Sequence, residues 1–250
     1  MAKISELYFY PIKSMRGLRA RSLEFDRLGP KWDRLWMIVD ENREFISQRE
    51  RPDLAKIGVR MDEDIALELS LGGLGQIDFG LEEREGDELK VRVRKDEMSA
   101  FEVSREVSQW LSDALKAKVK LVRLDEGTMR NVRFVDSASV LVISTASLRE
   151  LEQRSGARYS MARFRPNIVV DEVLAHAEDQ WTKFKVGATE FAAIKPCSRC
   201  KIITVHPLTG ETGPEPLKTL ATYRRQEKGI MFGAYFAHSG NGRITVGDSF

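Results

Sequence analysis

Both cysteines of the chain fall within one stretch, Pro196-Cys197-Ser198-Arg199-Cys200, with a cation between them. Thiols at this spacing suit a redox dithiol, half of a zinc site, or a single metal-anchoring thiolate beside an inert neighbour. A structural zinc site takes four ligands, commonly with a further Cys or His pair close in sequence. The chain has no further cysteine, and His176, His206 and His238 lie far apart. Zinc is therefore disfavoured. A thioredoxin-like dithiol sits where a strand runs into a helix whose N-terminus lowers the thiol pKa. Here Lys201-Ile202-Ile203-Thr204-Val205 reads as a strand, which weakens that reading. A lone thiolate with Lys195 and Arg199 as nearby counter-charges remains. So does the plain alternative that both cysteines are buried and inert.

Other polar clusters fall where strands are predicted to end. Tyr10-Pro11-Ile12-Lys13-Ser14 closes the first strand with a cation and a hydroxyl, and Asp33-Arg34 precedes an apolar run. Ser144-Thr145 stands at a predicted helix entrance, where free backbone N–H groups favour anions. In Phe164-Arg165-Pro166-Asn167 the proline is expected to hold Arg165 extended. Ser198 and Arg199 flank the second thiol. Singly, each has an ordinary structural reading as a rim charge, a cap or a turn. Converging, these cations, hydroxyls and an ionisable thiol would form a pocket for an anionic, phosphate-bearing cofactor with a soft metal.

The elements that must position these residues are mostly strands at first. Ile4–Pro11, Arg19–Phe25, Leu35–Asp40, Ile65–Leu71 and Leu89–Arg94 are apolar or alternate, with Gly72-Gly73, Gly80 and Gly86 between them. No long helix is expected before residue 103. Val107, Trp110, Leu111, Ala114 and Leu115 then make a helical stripe behind Ser104 as cap. Ser139–Ile143 reads as a short apolar strand. It leads to a helix over about Ser147–Arg154, with Ser147 and Glu150 as a capping box and Gly156 as the stop. Asn167–Asp171, Trp181–Val186 and Glu190–Ile194 are further strand candidates, and Pro216 opens a helix carrying Leu217, Leu220 and Tyr223. Strands near Met231–Phe236 and Arg243–Val246 finish the chain. The change from strand-rich to mixed composition near residue 100 is the predicted domain boundary.

Composition narrows the class. At 250 residues, 42% hydrophobic and 31% charged, the chain is globular, and its net charge of +2 is spread without a basic tract that would mark nucleic-acid binding. The N-terminus lacks a secretory apolar segment and no run reaches membrane-spanning length. Two cysteines make neither a disulfide framework nor a four-cysteine iron–sulfur site. A reducing cytoplasm, with no membrane and no nucleic acid as partner, is the expectation.

The ordered motifs resemble the MOSC family, after the C-terminal domain of molybdenum cofactor sulfurase, preceded by that family's N-terminal β-barrel domain. The stretches that carry the resemblance are Tyr-Pro-Ile-Lys-Ser (10–14), Asp-Arg-Leu-Trp (33–36), Phe-Arg-Pro-Asn-Ile-Val-Val (164–170), Cys-Ser-Arg-Cys (197–200) and Thr-Val-His-Pro-Leu-Thr-Gly (204–210). Pro216 to Arg224, Phe232-Gly-x-Tyr-Phe and Val246-Gly-Asp also fit, so the likeness spans nearly the whole chain and points to the amidoxime-reducing branch. It implies an α+β, β-rich fold: an N-terminal barrel-like domain over 1–100, a MOSC domain with a barrel core and flanking helices over 101–250, and a cofactor cleft between them. It also implies a molybdenum cofactor, with Cys200 as metal ligand and Cys197 as bystander. Lys13, Ser14 and Arg34 would grip the cofactor from the N-terminal domain. Ser144, Thr145, Arg165, Asn167, Ser198 and Arg199 would do so from the other side. The implied activity is reduction of small N-hydroxylated compounds (amidoximes, hydroxylamines, N-hydroxylated bases). A module carrying sulfur as a persulfide on Cys200, or a non-catalytic cofactor carrier, are the alternatives. Some relatives append a ferredoxin-like domain; this chain stops at Phe250, so electrons are expected from a separate flavin, iron–sulfur or haem protein. Family members often have Asp where this chain has His206, which makes His206 a candidate proton donor.

Overall fold

The structure, a computed structural model, describes residues 1–62, 65–127, 133–135 and 137–250. Strands β1 (Lys3–Phe9), β2 (Leu18–Ala20), β3 (Ser22–Asp26) and β4 (Gly29–Pro30) open the chain. They are followed by β5 (Trp36–Asp40), β6 (Gly58–Asp62), β7 (Ala66–Leu71), β8 (Gly75–Gly80), β9 (Glu85–Val93) and β10 (Asp96–Glu102). Helix α1 (Arg105–Leu115) leads to β11 (Val119–Leu124) and β12 (Val140–Ser144), then α2 (Thr145–Ser155), β13 (Ile168–Asp171), β14 (Lys183–Val186) and β15 (Thr189–Arg199). Helix α3 (Leu217–Tyr223), β16 (Arg225–Gln226), β17 (Gly229–Ser239) and β18 (Arg243–Thr245) complete it.

The largest sheet runs β14-β15-β17-β12-β13-β1-β2, with β16 paired to β17. Only the β12–β13 ladder in it is parallel. Its centre is covered on both faces, which is why β12 and β13 are unbroken apolar runs rather than alternating ones. Val140 and Val142 join one core with Ile4, Ile168 and Phe236; Leu141 and Ile143 join the opposite core with Val169 and Phe232. A second sheet, β5-β11-β10-β9, packs with β6-β7-β8 and α1 around a third core that includes Trp36, Leu69, Phe79 and Leu111. The expectation of a β-rich fold with few helices holds. The sheet paths are open, and among the described residues no barrel closes.

Helix ends follow local chemistry. Ser104 Oγ accepts from Val107 N at 3.2 Å at the start of α1. At the end of α2, Gly156 takes φ 70°, the left-handed conformation that favours glycine. The start of α2 lies earlier than expected: Ser144, not Ser147, is the cap, and its Oγ accepts from Ser147 N at 3.1 Å. Lys201–Thr204 is a 3-10 turn, not a strand, with Ile203 buried in it. The predicted Arg19–Phe25 strand is broken at Arg21, and β6, β8, β10 and β11 have too few or too irregular apolar positions to be legible in the sequence. Among the described residues no helix is long and apolar enough to cross a membrane.

Candidate functional site

Tyr10, just past β1, organises one wall of the site. Its backbone N–H donates to Asp33 Oδ1 at 2.7 Å, its carbonyl accepts from Arg34 N at 2.7 Å, and its hydroxyl donates to Pro166 O at 3.0 Å. The Arg34 and Arg165 guanidinium carbons lie over its ring, 4.6 and 4.3 Å from the centroid. Asp33, 2% exposed, pairs with Arg34. Burial works against the Arg34 charge, but the Asp33 carboxylate outweighs it and holds the Arg34 pKa above its ordinary value. Arg165 Nη1 donates to Met15 O at 2.6 Å, and Lys13 Nζ to Phe134 O at 2.9 Å.

Ser14, Arg34 and Arg165 all have positive φ, at 65°, 52° and 59°. This left-handed geometry costs non-glycine residues free energy, which the bonds around Arg34 and Arg165 offset. It also corrects the expected extended Arg165: the residue ends a 3-10 turn at ψ 43°, and the surrounding bonds override the bias from Pro166.

Asn167 ties the wall to the large sheet. Its Oδ1 accepts from Leu141 N at 3.1 Å and from Arg34 Nη1 at 3.3 Å, while Nδ2 donates to Tyr8 O at 3.3 Å. It borders the cleft, but its amide is spent on holding neighbours.

The opposite wall is the end of β15. Register shifts between Ala193 and Lys195 and between Pro196 and Ser198 bulge this strand against β17, which accommodates Pro196 and re-aims the residues beyond it. Cys197 is buried, and Arg199 Nη1 donates to its Sγ at 3.0 Å while Nη2 donates to Phe164 O at 2.6 Å. Arg199 Nε is buried and has no hydrogen-bond partner. Ser198 Oγ donates to Lys228 O at 3.3 Å. Cys200, the first residue past β15, is exposed.

Between the walls lies a cleft of about 780 Å³. Lys13, Ser14, Arg34, Arg165 and Asn167 border it on one side; Ser198, Arg199 and Cys200 border it on the other. Ser144 and Thr145 do not reach it. The start of α2 faces a buried carboxylate instead: Ser144 N and Ser147 Oγ donate to Glu178 Oε1 at 3.1 and 2.9 Å, and Thr145 Oγ1 donates to Asp171 at 2.6 Å. Burial raises the Glu178 pKa while the bonds from Ser144 and Ser147 oppose that rise, and the free donors of this helix end are thus taken up inside the protein. His206 is also outside the cleft. Its Nδ1 accepts from Leu208 N and Thr209 N at 3.3 and 3.2 Å, and the ring borders a smaller pocket.

Sequence reasoning missed several cleft residues. Arg94 and Lys228 add charge at the lining beside Lys195, the counter-charge expected near the thiol, and Glu227 is the sole carboxylate there among the described residues. Tyr235, opposite Leu141 in the β12–β17 ladder, also lines it; burial first, then Cys197, raises its pKa, so the phenol stays protonated. Its signal was available in Phe232-Gly-x-Tyr-Phe, a polar hydroxyl inside a buried strand.

No group of three or more His, Cys, Asp or Glu side chains comes together among the described residues, so a metal here would draw on at most one or two protein ligands. An accessible thiol, a cationic lining and the unpartnered Arg199 Nε suit a metal whose other ligands arrive with an anionic organic group. The residues fit.

Two β-rich bodies with a thiol-bearing cationic cleft define the class. Residues 1–118 match the MOSC N-terminal beta barrel domain and residues 129–250 match the MOSC domain, and the chain belongs to the MOSC family. It is 30% identical to mitochondrial amidoxime-reducing component 1 of Mus musculus, over 98% of this chain and 80% of that protein. Component 2 of Bos taurus is likewise 30% identical, over 98% of this chain and 81% of that protein. Molybdenum cofactor sulfurase of Danio rerio is 29% identical over 94% of this chain, which spans only 32% of the sulfurase.

Proposed function

We propose that the protein is a molybdenum-cofactor-dependent reductase of N-hydroxylated compounds such as amidoximes and hydroxylamines, supplied with electrons by a separate flavin, iron–sulfur or haem protein. The observation that carries this reading is the exposed Cys200 thiol on a cationic cleft of about 780 Å³, in a chain related end to end to amidoxime-reducing components. Cys200 would hold the metal. Lys13, Ser14, Arg34 and Arg165 would bind the cofactor's anionic end, and Ser198 and Arg199 would hold it from the β15 side. When bound, the cofactor supplies two-electron oxygen-removing chemistry that no side chain can perform alone.

The chain's own part is positioning and electrostatics. The Tyr10 ring and Asp33 hold Arg34 and Arg165 in fixed orientations, so their donors are pre-aligned before an anion arrives. Arg199 braces Cys197 and Phe164, which fixes the backbone leading to Cys200. The Tyr235 phenol keeps its proton within the cleft lining.

The same exposed thiol, together with the likeness to a cofactor sulfurase, supports a second reading in which Cys200 carries a persulfide. One experiment separates them. Protein made in molybdenum-replete cells is analysed for metal and sulfane sulfur and assayed for benzamidoxime reduction with an artificial electron donor. Cys200→Ala is expected to lose molybdenum and activity, while Cys197→Ala retains most of both. Equal metal in wild type and Cys200→Ala would end the ligand assignment; sulfane sulfur on Cys200 without metal would favour the carrier.

A further inference from the structure

A second pocket, of about 170 Å³, lies beside the cleft and shares Arg165 with it. The segment after β1 contributes Arg16, the 3-10 turn between α2 and β13 contributes Arg163, and the segment after β15 contributes His206. Three guanidinium groups thus border a small cavity, and no described residue lining it is a carboxylate.

Arg16 and Arg163 commit part of each guanidinium to backbone carbonyls, and Arg16 Nη1 and Arg163 Nη2 take no part in those bonds. Arg16 Nε donates to Ala55 O at 2.7 Å and Nη2 to Leu208 O at 3.0 Å. Arg163 Nη1 donates to Ile203 O and Val205 O at 3.1 and 3.2 Å, and its Nε is buried with no partner. Neither has a carboxylate within 4.0 Å among the described residues, although buried or half-buried cations are ordinarily paired. Burial lowers the pKa of both, as expected where no anion repays desolvation. The carbonyls of Ala55 and Val205 satisfy donors but carry no net charge, and the Tyr159 ring, 5.6 Å from the Arg163 guanidinium carbon, offers only its π face. His206 adds a donor. Because Nδ1 accepts from two backbone N–H groups, the neutral ring carries its proton on Nε2.

We propose that this pocket is a binding site for a phosphate-type oxyanion, distinct from the cleft that holds the cofactor in the reading above. Arginine forks around a carboxylate-free cavity are the arrangement that binds tetrahedral oxyanions. Met15, Val205, Pro207 and Leu208 supply apolar wall, which fits a phosphate ester with a small apolar body as well as the free ion. Arg165 borders both cavities, so an occupant here would share a cation with the cleft.

The test is calorimetric titration of the folded chain with inorganic phosphate and, separately, phenyl phosphate at constant ionic strength. Saturable binding at about 1 mM or tighter is expected. Arg163→Gln should weaken it about tenfold or more, since a charged donor is lost. Gln48→Met, a pocket-lining change that leaves both arginines in place, should weaken it less and serves if Arg163→Gln does not fold. Lys13→Gln, at a residue that borders the cleft and not this pocket, should change binding less than Arg163→Gln. Tighter binding of phenyl phosphate identifies an ester occupant, and equal affinities identify the free ion. Absence of saturation up to about 10 mM, or a larger loss in Lys13→Gln than in both pocket variants, would overturn the assignment.

Discussion

Asp33 holds together the wall that the cleft depends on, through one oxygen on Tyr10 N and the other on Arg34. Arg34 is itself largely buried, with its side chain 14% exposed, so removing the carboxylate strands a charge rather than deleting a surface contact. Asp33→Ala is expected to destabilise the chain by about 3–5 kcal/mol, read from urea denaturation, and to reduce cofactor retention in parallel. A loss below about 1 kcal/mol would show the pair to be no more than a surface salt bridge. At this scale the sequence was legible where residue chemistry is rare. Two cysteines, and cations at strand ends beside Pro and Asn, pointed to the groups that the structure brings to one cleft. It was not legible where tertiary bonds decide. Arg165 adopts a left-handed conformation because its neighbours require it, and Ser144 and Thr145 turn to Glu178 and Asp171, neither near them in sequence.

The turn between β1 and β2 presses against the same wall. Gly17 has no side chain, and a Cβ built there would fall 2.2 Å from Tyr10 Cε1. The ring cannot move freely, because Arg34 and Arg165 flank it and its hydroxyl holds Pro166 O. Gly17→Ala is therefore expected to cost about 1–3 kcal/mol, as overpacking does, and to loosen the two guanidiniums. The check is a thermal melt alongside cofactor content; an unchanged melt with full cofactor would mean the ring yields easily. Among elements, those with strong periodic or continuous apolar patterns could be read in advance. Helix α1 shows its stripe and cap, and β12 and β13 show the apolar runs of doubly covered strands. Lys201–Val205 looked like such a strand, yet the turn buries only Ile203 in its middle, so the run served a local anchor instead of a ladder. In β8, Ile77 and Phe79 alternate with Gln76 and Asp78, but over only four residues between glycines, too short a run to stand out.

Chain order and packing order diverge across the whole molecule. Strands β1 and β2 belong to the large sheet, and β3 pairs with β18 at the far end of the chain. Ile4, Leu7, Leu23 and Phe25 are buried in one core with Val142, Phe191 and Ile244. Conversely, β11 lies between β5 and β10, past the composition shift near residue 100. Periodicity read along the chain shows where strands are, not which sheet they join, so this crossover was invisible before the structure. It has a measurable consequence. Residues 133–250 alone lack those four apolar side chains, worth about 1.5–3 kcal/mol each when fully buried. The total of about 6–12 kcal/mol rivals the net stability of a typical domain, and β13 would also lose its β1 partner. That fragment is expected to show no cooperative melt. Placing residues 1–30 ahead of it through a short Gly/Ser linker should restore one, even though Ile12 and Met15 then lose their own core. The join is short because Arg133 Nη1 already donates to Pro30 O at 2.8 Å. Far-UV circular dichroism during heating compares the two. A sharp transition in the shorter fragment would show that the first thirty residues decorate this half rather than complete it.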